Sequence, residues 1–184
     1  MAQIKGTVLL DTVAAIRARA GDAELAKIID RLNGATKQLF QTPIQRSSWY
    51  SLDAFAEFLE ANVQVTAGGD YEVLSKRAEL VVESQLRGIY RVFVKLGTPG
   101  FVIDRIAAVH ETYFKDVQII PEIEKHKAVI KYRGFQRQHA IMQYVITGFY
   151  RKALELCGAQ RFELKFTVPV GAGEPYAELS ILWE

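Results

Sequence analysis

The chain has 184 residues, 49% apolar, 24% charged and 11% aromatic, with 23 Lys and Arg against 21 Asp and Glu. That length lets a single domain, residues 1–184, bury roughly 70% of the surface its unfolded chain exposes, and a formal net charge of +2 gives no general attraction to nucleic acid or anionic membrane. One Cys excludes a disulfide framework and a cysteine-rich zinc site, and no apolar run approaches the ~18 residues of a membrane span, so a cytoplasmic chain is expected.

Residues 1–115 read mainly as helix. A first helix is expected over Thr7–Ala20, with Leu9, Val13, Ile16 and Ala20 on one face. Gly21 stops it, and Asp22 can cap a second helix carrying Leu25, Ile28, Ile29 and Leu32. Asn33-Gly34 ends that helix, and an irregular stretch is expected from Lys37 to Tyr50. Ser51 caps the next helix, whose Phe55, Phe58, Leu59 and Val63 are spaced for burial. Asp70 caps a long helix expected to reach Leu96, with a bend at Gly88. Gly97-Thr98-Pro99 closes one helix and opens another, on which Ile103, Ala107, His110 and Phe114 share a stripe.

From residue 116 the apolar period changes from 3.6 to 2. Val117–Ile123 and Ala128–Arg133 read as a hairpin turning through residues 124–127. A helix is expected from Gln136 to Cys157, with Met142, Val145, Phe149, Ala153 and Leu156 as its stripe. Arg161–Val170 and Tyr176–Trp183 alternate as a second hairpin. The expected fold class is α+β: an N-terminal helical part, then a four-stranded antiparallel sheet made of two hairpins bracketing a long helix.

Few residues carry chemistry. His110 sits on the apolar face of its helix, where a neutral imidazole either ligates heme iron or serves as a core histidine. Residues 125–154 contain seven basic residues and no acid, while the rest of the chain holds 16 basic and 21 acidic groups. Lys125, Lys127, Lys131, Arg133 and Arg137 are thus a candidate basic surface for an acidic partner, or a mixed solvated face. Nucleic-acid binding calls for a denser patch with exposed aromatics. Gly68-Gly69-Asp70 lacks the Walker lysine and the dinucleotide glycine spacing, and reads as a turn and cap. Cys157 lies at a helix C-terminus, the wrong dipole end for a reactive thiolate. No histidine complement at metal-ligand spacing accompanies the acids, and nothing points to an enzyme.

Several segments resemble a paralogous family expanded in myxobacteria: Ile4-Lys5-Gly6-Thr7-Val8-Leu9, Ser47-Ser48-Trp49-Tyr50, Gly68-Gly69-Asp70, Leu86-Arg87-Gly88-Ile89-Tyr90-Arg91-Val92-Phe93, Gly97-Thr98-Pro99 and Gly148-Phe149-Tyr150-Arg151-Lys152-Ala153-Leu154-Glu155-Leu156-Cys157-Gly158. They keep their order over nearly the whole chain and bring no catalytic residues with them. More distantly, the layout is similar to the superfamily joining heme-NO-binding domains, vinyl-reductase-type sensor domains and TRAPP-complex subunits. A heme-NO-binding domain also opens with a Lys-Gly pair, here Lys5-Gly6, and the resemblance implies His110 as its iron ligand. That family's Tyr-x-Ser-x-Arg motif for the heme propionates corresponds to Tyr132-Arg133-Gly134-Phe135-Gln136, which keeps Tyr132 alone, with Arg137 one residue late. The metal-binding cysteines of the vinyl-reductase-type sensors are missing.

These readings lead to a non-enzymatic regulatory or scaffold module without a cofactor. It is expected to bind an apolar small molecule or a protein partner, including a second copy through the long helix or an edge strand. A ligand pocket is expected between the sheet and the helices bearing Leu86, Ile89, Phe93, Ile106 and His110, with Met142, Val145 and Phe149 opposite. The alternative is a heme-based gas sensor of the heme-NO-binding type, using His110 with Tyr132 beside the cofactor.

Overall fold

Three short strands tie distant parts of the chain together. β1 (Gln3–Lys5) lies between β2 (Trp49–Ser51) and β3 (Phe114–Lys115), both antiparallel to it, and Ile4 stands opposite Tyr50 on one side and Phe114 on the other. Strands of two or three residues are too short to show a period of 2, so this sheet is absent from the sequence reading. The computed structural model describes residues 1–85 and 97–184.

The helical part follows the expected caps, with two differences. α1 (Gly6–Asp30) breaks at Gly21, whose φ of 81° and ψ of 173° fall where only glycine sits without steric cost, so its two arms are the two expected helices. α2 (Gly34–Gln41) occupies the start of the stretch expected to be irregular. Its cap is Asn33, whose side-chain oxygen accepts from Thr36 N at 3.0 Å, so the Asn-Gly pair expected as a stop is also a start. α3 (Leu52–Ala67) begins on Ser51 Oγ, which accepts from Ala54 N at 3.4 Å, and ends where Gly68 turns left-handed. Asp70 Oδ1 accepts from Glu72 N at 3.1 Å at the start of α4 (Glu72–Gln85). The expected continuation through Leu86, Gly88, Ile89 and Phe93 to Leu96 lies outside the described residues. α5 (Pro99–Tyr113) opens on Thr98, whose side chain accepts from Phe101 N at 3.4 Å, with Pro99 in the first turn.

The second half is the expected sheet. β4 (Gln118–Ile123), β5 (Lys127–Arg133), β6 (Phe162–Val168) and β7 (Ala177–Trp183) pair antiparallel in the order β4-β5-β7-β6. Ala128, Ile130 and Tyr132 on β5 and Ala177, Leu179, Ile181 and Trp183 on β7 form its buried face, alternating with half-buried and exposed positions as period 2 requires. Between the hairpins run a 3₁₀ turn (Arg137–His139) and α6 (Met142–Leu156), so the single helix expected from Gln136 is divided. The division has a cause: His139 is buried, its Nδ1 accepts from Gln136 N at 2.9 Å, and its Nε2 lies 2.6 Å from Asp53 Oδ1 on α3.

α6 is buried at Met142, Ile146, Gly148, Tyr150, Ala153 and Leu154, while Val145, Phe149 and Leu156 of the expected stripe are half-buried. The helix is enclosed on more than one side, which a single-stripe reading does not capture. α4 crosses it so closely that a Cβ on Gly148 would stand 2.1 Å from the Ser75 carbonyl oxygen. Among the described residues, no helix is long and apolar enough to cross a membrane.

Candidate functional site

His110 lies three residues before the end of α5, on the stripe of Val102, Ile103, Ile106 and Ala107 that the helix buries. Only 4% of its surface is exposed. Aromatic rings surround it: Phe149 edge-on at 4.8 Å, Tyr150 at 5.4 Å and Phe114 at 6.1 Å between centroids. The Tyr132 hydroxyl is 3.3 Å from His110 Nδ1 and donates to the Tyr150 oxygen at 3.3 Å. Local structure explains the convergence. Tyr132 is the third inward residue of β5 and faces the small Ala177 across the ladder, while Tyr150 projects from the buried side of α6.

Burial sets the protonation of this group. Among the described residues no carboxylate faces the imidazole to repay the cost of charging it, and burial pushes its pKa down to about 3. It is therefore neutral at physiological pH, the form in which a ring nitrogen can ligate a metal. Burial also raises the pKa values of Tyr132 and Tyr150, so both phenols stay protonated.

His110 forms part of the wall of a cavity of about 780 Å³. α1, α3, α4 and α6 supply most of the lining, with Ile4 and Phe114 of the small sheet at one side. Met142, Val145 and Phe149 line it together with His110, which accounts for the incomplete burial of Val145 and Phe149 on α6. Two expectations about the pocket need correction. It lies among helices rather than against the four-stranded sheet, and Ile106 is packed in the core instead of in its wall. The remaining expected lining residues, Leu86, Ile89 and Phe93, fall outside the described residues. Tyr132 does not line the cavity; it reaches it through His110.

Sequence reading also missed polar members of the wall. Arg19 on α1, Asn62 on α3 and Arg77 on α4 contribute to a lining that is otherwise mostly apolar. Their signal is present but faint: Asn62 is a polar residue inside the buried stripe of α3, and Arg77 follows the buried Leu74 by three positions on α4. The basic run is placed elsewhere. Lys125, Lys127, Arg133 and Arg137 are exposed, and none lines the cavity. Lys131 is half-buried with its Nζ 2.9 Å from Glu122 Oε1, and it pairs across the ladder with Glu178, so a run without acids in sequence has acids beside it in space. Cys157 is half-buried and its thiol donates to the Leu154 carbonyl, while burial raises its pKa.

No protein-family model matches the chain, and no curated protein is similar to it in sequence. The fold is nevertheless that of the H-NOX domains. An H-NOX protein from K. algicida, in the Fe(II) unliganded state, matches with a TM-score of 0.70 at 11% identity, over 98% of this chain and 97% of that one. An H-NOX protein from S. oneidensis in the Fe(II)NO state matches with a TM-score of 0.71 at 10% identity, over 98% and 99%. A structure from a study of heme distortion in the H-NOX family matches with a TM-score of 0.66 at 10% identity, over 98% and 95%. This likeness bears out the resemblance to heme-NO-binding domains. It also overturns the expectation of a scaffold or regulatory module without a cofactor, because the structures sharing this fold are H-NOX proteins described by their iron state and their heme.

Proposed function

We propose that the chain is a heme-binding sensor of a diatomic gas, acting as one domain and without catalysis, with His110 as the iron ligand. The observation that carries this reading is a buried, neutral histidine in the wall of a large apolar cavity, with one ring nitrogen already engaged by a phenol. Metal-ligating histidines usually donate their other ring N–H to an oxygen, which sets the tautomer and the ring orientation. Tyr132 fills that role at Nδ1, leaving Nε2 as the ligating nitrogen.

The residues present suit heme. A cavity of about 780 Å³ lies within the range of cofactor pockets. Phe55, Leu59, Met142, Val145 and Phe149 offer apolar and aromatic surface for a porphyrin face, and Arg19 and Arg77 offer cations for its acid groups. When bound, heme would supply an iron able to hold the gas, His110 would hold that iron, and the polarity of the cavity wall would tune the affinity. The protein's own contribution is to present a neutral imidazole, hold its orientation through Tyr132 and Tyr150, and keep water from the apolar walls.

The test is optical. Purified protein supplied with hemin and reduced should show a Soret band that shifts on adding nitric oxide or carbon monoxide. His110→Ala should abolish the native band, and free imidazole should restore one. A chain that takes up no heme, or a His110→Ala variant with an unchanged spectrum, would sink the reading.

A further inference from the structure

Arg77 is held firmly but incompletely satisfied. Its Nη1 donates to Thr66 Oγ1 at 2.8 Å and to Asn62 Oδ1 at 3.3 Å, which fixes the guanidinium against α3. Its Nε is buried and meets no acceptor, an arrangement rare enough in native proteins to call for an explanation. The charge that acts on it is a second cation, Arg19 of α1. Both arginines line the cavity, and among the described residues neither forms an ion pair with a carboxylate. Among the described residues of the lining the acid is Asp11, which stands eight residues before Arg19, roughly 12 Å along the helix, with its carboxylate 3.7 Å from Arg46. Desolvation first, and Arg19 second, bring the pKa of Arg77 down to about 10. Two cations at the wall of an apolar cavity, without a carboxylate partner among the described residues, describe a place for an anion.

We propose that Arg77 and Arg19 form a carboxylate site, holding the acid group of a ligand whose apolar body occupies the cavity. The proposal rests on the heme reading and assigns heme's propionates to these two helices. It supplies what the Tyr132–Gln136 stretch lacks: Gly134 and Gln136 carry no charge, Arg133 and Arg137 are exposed away from the cavity, and the Tyr132 hydroxyl is committed to His110 and Tyr150. Guanidinium forks match carboxylate geometry, so either arginine suits a carboxylate partner in the cavity.

The experiment uses metal-free protoporphyrin IX and its dimethyl ester, whose binding is followed by porphyrin fluorescence. The intact chain should bind the diacid at least about tenfold more tightly than the ester, the equivalent of one charge-assisted hydrogen bond. Arg77→Gln and Arg19→Gln should each bring the ratio close to one by weakening the binding of the diacid. Arg19 is exposed, so its variant keeps the test valid if Arg77→Gln fails to fold. Equal binding of acid and ester, binding of neither, or a preference that survives Arg19→Gln would overturn the proposal. The probe contains no iron, so this result is independent of whether His110→Ala abolishes the Soret band.

Discussion

The Tyr132 hydroxyl sits between His110 Nδ1 and the Tyr150 oxygen, 3.3 Å from each, and these three side chains come from a strand and two helices. Tyr132 has one hydroxyl hydrogen, given to Tyr150, so its oxygen is free to accept from the imidazole N–H. In the heme reading this contact puts the N–H on Nδ1 and leaves the lone pair on Nε2. Tyr132→Phe should keep the Soret band but weaken heme retention by roughly 10- to 100-fold, the usual cost of losing such an orienting partner. Heme transfer to apomyoglobin measures the rate, and the iron–histidine stretch in resonance Raman should fall in frequency.

Burial of neutral His110 makes the heme-free protein sensitive to acid. In the folded chain its pKa is about 3, whereas an unfolded histidine titrates near ~6.5. Between these values the unfolded state binds the extra proton, so the stabilisation is fully present above about pH 6.5 and is lost progressively toward about pH 3. Urea unfolding from pH 8 to pH 4 should show stability declining below that upper limit. His110→Leu should flatten the decline.

The crossing of α4 and α6 depends on Gly148. A methyl group there would meet the Ser75 carbonyl oxygen at 2.1 Å and the Ala78 Cβ at 2.9 Å, and backbone cannot step aside as a side chain can. Gly148→Ala should destabilise the chain by roughly 1–3 kcal/mol, despite the better helix propensity of Ala. Thermal unfolding reads this directly, and the cavity wall at Val145 and Phe149 should loosen with it, lowering heme affinity.

Asp53 and His139 join the helical part to the turn that leads into α6. His139 is 1% exposed and its Nε2 lies 2.6 Å from Asp53 Oδ1, while Nδ1 is occupied by the Gln136 N–H. Asp53→Ala leaves a buried N–H without an acceptor and should cost about 1–3 kcal/mol. Because His139 does not line the cavity, the optical spectrum of heme-loaded protein should stay native.

The legible part of this protein is local. Ser51 and Thr98 cap the helices they were expected to cap, Gly21 breaks α1 where the apolar stripe changes, and alternation over residues 117–133 and 161–183 marks four strands. His110 stands out for the same reason, as a polar residue at an apolar position of a single helix. The illegible part is pairing at long range. Ile4 meets Phe114 across 110 positions in strands too short to carry a pattern, and Arg19 and Arg77, 58 positions apart, come to line one cavity. Val145 and Phe149 were expected opposite His110 in a pocket and line it, but periodicity does not say which other elements close that pocket, and here these are helices and not the sheet.

Composition, caps and alternation thus determined the α+β class, the two hairpins and a histidine on a buried face. Tertiary structure alone decided that the pocket beside this histidine lies among helices, that Tyr132 and Tyr150 hold its ring, and that two arginines share the same wall. The physical reason is the range of the forces that each level records. Backbone hydrogen bonding and hydrophobic period act over a few residues and leave their mark in sequence, whereas desolvation, charge proximity and cavity shape arise only when helices far apart in the chain pack together.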